Sequence, residues 1–114
     1  MNNKKLAYQS LNPINKEKFL QSFKKSDING QIELLIQLRE SNDIDFAEKI
    51  YEENLENKNL EILTTSLYSL GYLSIMKNIK IKSEIFEKIK KLSNTYPNLN
   101  EVLEEVIWEI EQNI

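Results

Sequence analysis

The stretch LEILTTSLYSLGYLSIMK, residues 60–77, is the most informative part of this 114-residue chain for its fold. Its apolar residues recur at three and four positions and occupy more than one side of a helix, a pattern typical of a buried helix. Small polar residues and one glycine interrupt the run, at Thr64, Thr65, Ser66, Ser69, Gly71 and Ser74. These interruptions argue against a membrane span. Residues 60–77 therefore predict the central helix of a helical domain.

The same spacing predicts three helices upstream, over residues 15–26, 31–41 and 44–55. Asn15 and Asp43 carry the side-chain oxygens that favour the N-cap positions of the first and third helices. Turn chemistry before the second helix is expected at Asp27, Asn29 and Gly30. The residues expected to point inward are Ile32, Leu35, Ile36 and Leu38 in the second helix, and Phe46, Ala47, Ile50 and Tyr51 in the third.

Two more helices are predicted downstream of the central one. The first begins at Ser83, with Glu84 in its first turn. Pro97 and Asn98 then break the chain, and the last helix runs over residues 100–112. The apolar stripes are Ile85, Phe86, Ile89 and Leu92 in the first, and Leu103, Val106, Ile107 and Ile110 in the last.

Five to six helices with short connections predict an all-α fold in which successive helices pack antiparallel, as a stack or a bundle. Residues 3–11 allow one further short helix. The chain length fits a single helical domain over residues 1–114, in which residues 1–12 form a loose or short-helical N-terminal segment.

The composition excludes most enzyme chemistries. The chain has no histidine and no cysteine, and so lacks the commonest proton shuttle, the commonest metal ligand and any disulfide. Serine nucleophiles would have no histidine base, and adjacent carboxylates on a helix diverge by about 100°. We therefore expect no catalytic residue, no metal and no cofactor. Because no apolar segment follows the basic residues 1–5 before Pro13, we expect a cytoplasmic protein.

Charges occur in blocks along the chain, although the net charge is only -3. Residues 1–25 and 77–91 are rich in lysine, whereas residues 40–61 and 101–111 are rich in acidic residues. The blocks either compensate one another across the fold or steer association with a charged partner. The lysines could contact phosphates, but a single arginine, Arg39, leaves little for base readout, so nucleic acid is not the expected partner.

Trp108 is the only tryptophan, and it falls on the acidic side of the last helix. Steps of about 100° per residue place it about 140° from Leu103, beside Glu101, Glu105 and Gln112. Tryptophan commonly anchors protein interfaces. Two interpretations stay open: Trp108 anchors a partner, or a neighbouring helix or the N-terminal segment covers it.

Two short stretches carry a family resemblance. Residues 66–73 (SLYSLGYL) resemble the second helix of a HEAT-like repeat, in which small residues and a Leu-Gly pair let helices approach closely. Residues 45–51 (DFAEKIY) resemble part of a tetratricopeptide helix. Gly71 in a helix interior costs about 1 kcal/mol relative to alanine, which close packing would justify. Both resemblances imply paired antiparallel helices in a right-handed stack that serves as a binding scaffold.

In size, acidity and helical make-up the whole chain is similar to small bacterial immunity proteins, which neutralise toxins of contact-dependent growth inhibition and related systems. This resemblance implies a monomer that binds a cognate toxin domain one-to-one, often a nuclease with a basic active site. Its partner-binding residues would lie on the acidic faces of the third and last helices. They are Asp45, Glu48, Glu52, Glu53, Glu56, Glu101, Glu104, Glu105, Trp108, Glu109 and Gln112.

The alternative interpretation is a helical adaptor or a self-associating scaffold. In that protein the large aromatic residues would lie at a subunit contact, namely Tyr51, Tyr72 and Trp108. An inhibitor is expected to be a monomer whose binding weakens with salt, whereas a scaffold is expected to form a salt-tolerant oligomer.

Overall fold

The computed structural model describes residues 15–114, so the expectations for residues 1–12 and 3–11 lie outside the described range. Six α-helices and a short 3-10 turn make up the regular structure of these residues, and no strand occurs among them. They are α1 (Lys16–Lys25), α2 (Ile28–Leu38), α3 (Ile44–Asn54), α4 (Leu60–Met76), α5 (Ser83–Thr95), the 3-10 turn (Pro97–Leu99) and α6 (Asn100–Glu111). The all-α prediction, with five to six helices, is confirmed.

Two predicted caps begin their helices as expected. The side chain of Asn15 accepts the backbone N–H of Lys18 at 2.9 Å and so caps α1. Asp43 accepts the N–H of Phe46 at 3.1 Å and so caps α3. Both caps are local, because donor and acceptor lie three residues apart.

The start of α2 differs from the prediction. Asp27 is its N-cap and accepts the N–H of Gly30 at 2.8 Å, so Asn29 and Gly30 belong to the first helical turn. A Cβ at position 30 would lie 2.9 Å from the Cβ of Ser26. The glycine is therefore required by the close approach of α1 and α2. In the sequence it was interpreted as part of a turn, whereas in the structure it is a helical residue.

Consecutive helices pack in three pairs, α1 with α2, α3 with α4 and α5 with α6. The first helices of the pairs form one layer. Lys16 lies 3.0 Å from Asp43, and the ring of Phe19 lies 5.7 Å from that of Phe46. Residue numbers rise in the same direction along both helices from the first contact to the second, so α1 and α3 run parallel. The contacts between α3 and α5, described below, follow the same order, so these two helices are also parallel.

The second helices of the pairs, α2, α4 and α6, form the other layer, with α4 in the middle. As residues 60–77 predicted, α4 is the central helix, and four of its five leucines are fully buried, namely Leu63, Leu67, Leu70 and Leu73. One inward prediction for α2 was wrong, since Ile36 is 46% exposed. The helix packs through Leu35 and Leu38, and Ile36 lies at its edge. Within residues 15–114, no helix has the length and apolarity needed to cross a membrane.

Candidate functional site

The last helix presents its tryptophan to solvent among carboxylates. Trp108 is 59% exposed, and Glu101, Glu104, Glu105 and Gln112 on the same helix are also exposed. The opposite side is buried through Leu103, Val106 and Ile110. We call the set Glu101, Glu104, Glu105, Trp108 and Gln112 the α6 face. The helical pattern predicted this grouping, and the amphipathic packing of α6 produces it.

Contacts with α4 hold the position of α6. The hydroxyl of Ser74 donates to the backbone carbonyl of Glu109 at 3.0 Å. The side-chain amide of Asn113 bonds the backbone carbonyl of Ser74 and, at 3.1 Å, its hydroxyl. A Cβ at Gly71 would overlap the carboxylate of Glu109, whose Cδ would lie 3.2 Å away. The glycine therefore makes room for a glutamate side chain of the neighbouring helix.

Glu109 borders the α6 face and is partly buried against Gly71. Burial, and then the negative charge of Glu105 one turn earlier, raise the pKa of its carboxyl group above the usual value. Gln112 lies one turn after Trp108, and its side-chain amide donates to the backbone carbonyl of Trp108 at 2.9 Å. This hydrogen bond stabilises the C-terminal end of α6 beside the tryptophan.

No cation compensates the acidic side chains of α6 in the described part of the chain. The carboxylates of α6 belong to Glu101, Glu104, Glu105, Glu109 and Glu111. Across residues 15–114, none of them lies within ion-pair distance of a lysine or arginine. Uncompensated like charges repel one another, and they produce a negative potential around Trp108. The arrangement suits a cationic partner.

The acidic side of α3 has a different environment, because lysines of α5 lie against it. Lys88 makes an ion pair of 2.7 Å with Glu52 and lies 3.9 Å from Glu56. The hydrogen bond to Glu52 raises the pKa of Lys88 above its usual value. Glu53 is exposed, and it makes no ion pair within residues 15–114.

Glu48 is 3% exposed and performs a structural role. One carboxylate oxygen accepts the backbone N–H of Lys82 at 3.2 Å, and the other lies 3.6 Å from the Lys82 ammonium group. Asp45 lies 4.0 Å from the same ammonium group. The N-cap residue of α5 is Lys82, which has no side-chain cap, and Ser83 is the first helical residue. Glu48 therefore supplies the bond at the start of α5 and is buried away from any partner.

The two predicted acidic faces lie on helices that make no direct hydrogen bond or ion pair with each other within residues 15–114. Instead, α5 pairs with each of them. The lysines of α5 thus compensate the acidic charges of α3, whereas the charges of the α6 face are not compensated within residues 15–114.

The tyrosines proposed for a subunit contact are engaged within the fold. Tyr51 is completely buried, and its hydroxyl donates to the carbonyl of Leu35 at 2.6 Å. This burial contradicts its placement at a contact. Tyr72 is half-buried, donates to Glu40 at 2.6 Å and stacks beneath Arg39 at 5.4 Å. Of the three aromatic residues, Trp108 alone is largely exposed.

No protein-family model, curated protein or solved structure matches this chain. Among residues 15–114, no group of three or more acidic side chains is arranged to hold a metal ion.

Proposed function

We propose that this protein is a binding protein of the immunity type, which inhibits a cognate toxin domain by docking the α6 face onto it. The observation that carries the proposal is the 59% exposure of Trp108 among carboxylates that have no ion pair within residues 15–114. The proposed complex forms one-to-one in the cytoplasm of a bacterium, and it involves no cofactor and no catalytic residue of this chain.

The two parts of the α6 face would do different work in such a complex. A tryptophan buried on binding supplies a large apolar contact, and the surrounding carboxylates accelerate the approach of a positively charged partner. A toxin nuclease has the required basic surface, because its active site binds phosphates. Since Ser74 and Asn113 already hold α6 on α4, little conformational freedom would be lost on docking.

The exposed carboxylates of α3 have a smaller part in this proposal than the sequence suggested. Glu52 already pairs with Lys88, and a partner's cation would have to displace that lysine. Asp45, Glu53 and Glu56 remain exposed and would contribute at the margin. The α6 face is therefore the site that we propose.

Affinity capture from the native host, followed by titration, tests the proposal. The immobilised chain is compared with Trp108→Ala and with Met76→Ala, a control that removes another apolar side chain, 64% exposed on α4. Each specifically retained protein is purified, its enzymatic activity is assayed with and without this chain, and its Kd is measured over a series of salt concentrations.

We expect a basic protein whose activity is inhibited, and whose Kd rises roughly 30-fold with Trp108→Ala, the equivalent of about 2 kcal/mol. Met76→Ala should leave the Kd unchanged. A partner that binds wild type and Trp108→Ala equally would place the interface elsewhere.

The exposed tryptophan also fits the alternative function, a self-associating helical scaffold. That function predicts an oligomer that persists at high salt and dissociates with Trp108→Ala. Sedimentation of the purified chain at low and high salt separates the two, because the inhibitor is expected to remain a monomer.

A further inference from the structure

Asn29 is the one asparagine of this chain that a glycine follows, because the second glycine, Gly71, follows a leucine. Its side chain is exposed in the first turn of α2. Asparagine before glycine is the pair most prone to deamidation, since glycine has no side chain to hinder attack by its backbone nitrogen. Position 29 therefore combines a reactive dipeptide with access to water.

The reaction at this dipeptide would consume water and release ammonia. The backbone nitrogen of Gly30 loses its proton to solvent and forms a bond with Cγ of Asn29. The bond from Cγ to Nδ2 breaks, and Nδ2 leaves as ammonia after taking a proton from solvent. Water then opens the resulting succinimide ring at either carbonyl, which leaves aspartate or isoaspartate at position 29.

The folded start of α2 opposes this attack. The succinimide ring fixes ψ of Asn29 far from the helical value of about −42°. The attacking nitrogen is also engaged, because the backbone N–H of Gly30 donates to the side chain of Asp27 at 2.8 Å. The backbone carbonyl of Asp27 accepts the N–H of Gln31 at 2.9 Å. The reaction therefore requires that this turn open first.

Contacts with α1 hold the same turn closed. The side-chain amide of Gln31 donates to the backbone carbonyl of Phe23 at 2.8 Å. At the end of α1, the backbone N–H and the hydroxyl of Ser26 both donate to the carbonyl of Ser22. Most of these groups lie at the surface, so opening this turn should cost less free energy than unfolding the whole domain.

We propose that Asn29 is a deamidation site, that it reacts through opening of the first turn of α2, and that the Asp27 cap limits this opening. The reaction adds one negative charge and is irreversible. Isoaspartate also inserts a methylene group into the main chain beside Gly30, where a Cβ would already lie 2.9 Å from the Cβ of Ser26. The modified turn therefore cannot close in its original geometry, and the contact between α1 and α2 is loosened permanently.

Peptide mapping by mass spectrometry tests the proposal on the full-length protein incubated at neutral pH. The deamidation rate at Asn29 is measured in wild type, in Asp27→Ala, which removes the cap, and in Asp27→Ser. The serine variant removes the same charge but keeps a side-chain oxygen that caps helices. Asn42, which is exposed before α3, is the internal reference. Wild type denatured in guanidinium chloride gives the rate of the open chain.

We expect Asn29 to react at least about tenfold more slowly in the folded wild type than in the denatured chain. Asp27→Ala should accelerate the reaction of the folded protein about fivefold, the equivalent of the ~1 kcal/mol that a lost cap costs. Asp27→Ser should stay within about twofold of wild type. Gln31→Ala removes the bond to α1 and leaves the cap, and it should accelerate the reaction roughly threefold. The rate at Asn42 should be the same in all folded variants.

Circular dichroism checks that each variant is folded, and Gln31→Ala keeps the test decisive if Asp27→Ala unfolds. Equal rates at Asn29 in wild type and in the folded variants would overturn the proposal, because opening would not limit the reaction. Equal acceleration by Asp27→Ala and Asp27→Ser would overturn it as well, since the charge and not the cap would control the rate. A folded wild type that reacts as fast as the denatured chain would mean that α2 gives no protection, again against the proposal.

Discussion

The acidic sides of α3 and α6 have similar residues and different surroundings. On α3, Glu48 is buried against Lys82, and Glu52 pairs with Lys88. On α6, carboxylates surround the exposed Trp108, and no basic side chain of residues 15–114 pairs with them. A row of glutamates therefore becomes structural or available for recognition according to the helix that lies beside it.

The position of each helix in its layer explains the difference. α3 lies between α1 and α5, so its acidic side meets the lysines of the next helix along the stack. α6 is the last helix of its layer and packs against α4 on one side only. Within residues 15–114 no helix covers the outer side of α6, so its charge and its tryptophan are exposed there.

Removing the buried carboxylate of α3 should change stability more than removing an exposed carboxylate of α6. Glu48→Ala should reduce the free energy of unfolding by about 2 kcal/mol, because it leaves the N–H of Lys82 without an acceptor and opens a cavity. Glu104→Ala, the matched control on α6, should change it by less than about 0.5 kcal/mol. Urea unfolding of both variants measures the difference. Equal losses would mean that the two acidic rows are equivalent.

Charge reversal on α6 and on α3 tests which of the two acidic sides binds the partner. Once the partner is isolated, Glu105→Lys should weaken its association by about tenfold at low salt, because the reversed charge opposes a basic surface. Glu53→Lys on α3 is the matched control and should have little effect. Calorimetric titration of each variant gives both Kd values. A larger effect of Glu53→Lys would assign the interface to α3.

The ion pair between α3 and α5 allows a swap experiment. Lys88→Glu should lower the Tm, because it places like charges beside Glu52 and Glu56. Combining it with Glu52→Lys should restore most of the loss, and the effect should shrink as salt rises. Thermal unfolding monitored by circular dichroism measures these changes, which are small for exposed pairs. A double variant less stable than Lys88→Glu would argue against the pairing.

Glu109 should make the free energy of unfolding depend slightly on pH. Its folded-state pKa is raised, first by burial and then by Glu105, so the folded protein binds this proton more tightly than the unfolded chain does. Stability from this group is present at low pH and is lost as pH rises through the raised pKa. Glu109→Gln should therefore raise the free energy of unfolding at pH 7, by less than about 1 kcal/mol, and the gain should vanish below about pH 4. Urea unfolding at both pH values measures the gain, and a gain that does not depend on pH would point to a cause other than ionisation.

Local signals in the sequence correctly located most helices. Asn15 and Asp43 cap helices through bonds to residues three positions later, and a cap of this kind can be seen in the sequence. The start of α5 at Ser83 was also predicted correctly, but the acceptor for the backbone N–H of Lys82 could not be found in this way, because it is Glu48, 34 positions earlier. The position of Trp108 on the acidic side of α6 followed from helical periodicity, whereas its exposure was left open by the sequence and is seen only in the structure.

The pairing of charges could not be read from the chain in the same way. The acidic and basic blocks were visible in the sequence. Which acidic block pairs with the lysines of α5 depends on the packing of α3 beside α5, which the sequence does not show. The same limit applies to Ile36, which belongs to an apolar pattern and is nevertheless exposed. Whether an apolar side chain at the edge of a helix is covered depends on residues distant in sequence.

The helical class, the central position of residues 60–77 and the grouping of Trp108 with its glutamates could all be predicted from the amino-acid sequence. These properties follow from capping and periodicity, which act within a few residues. The packing of the helices was needed to show that Glu48 is buried, that lysines of α5 compensate the acidic side of α3, and that no cation within residues 15–114 compensates the α6 face. Burial and ion pairing depend on distances between helices, and the order of residues along one helix does not specify those distances.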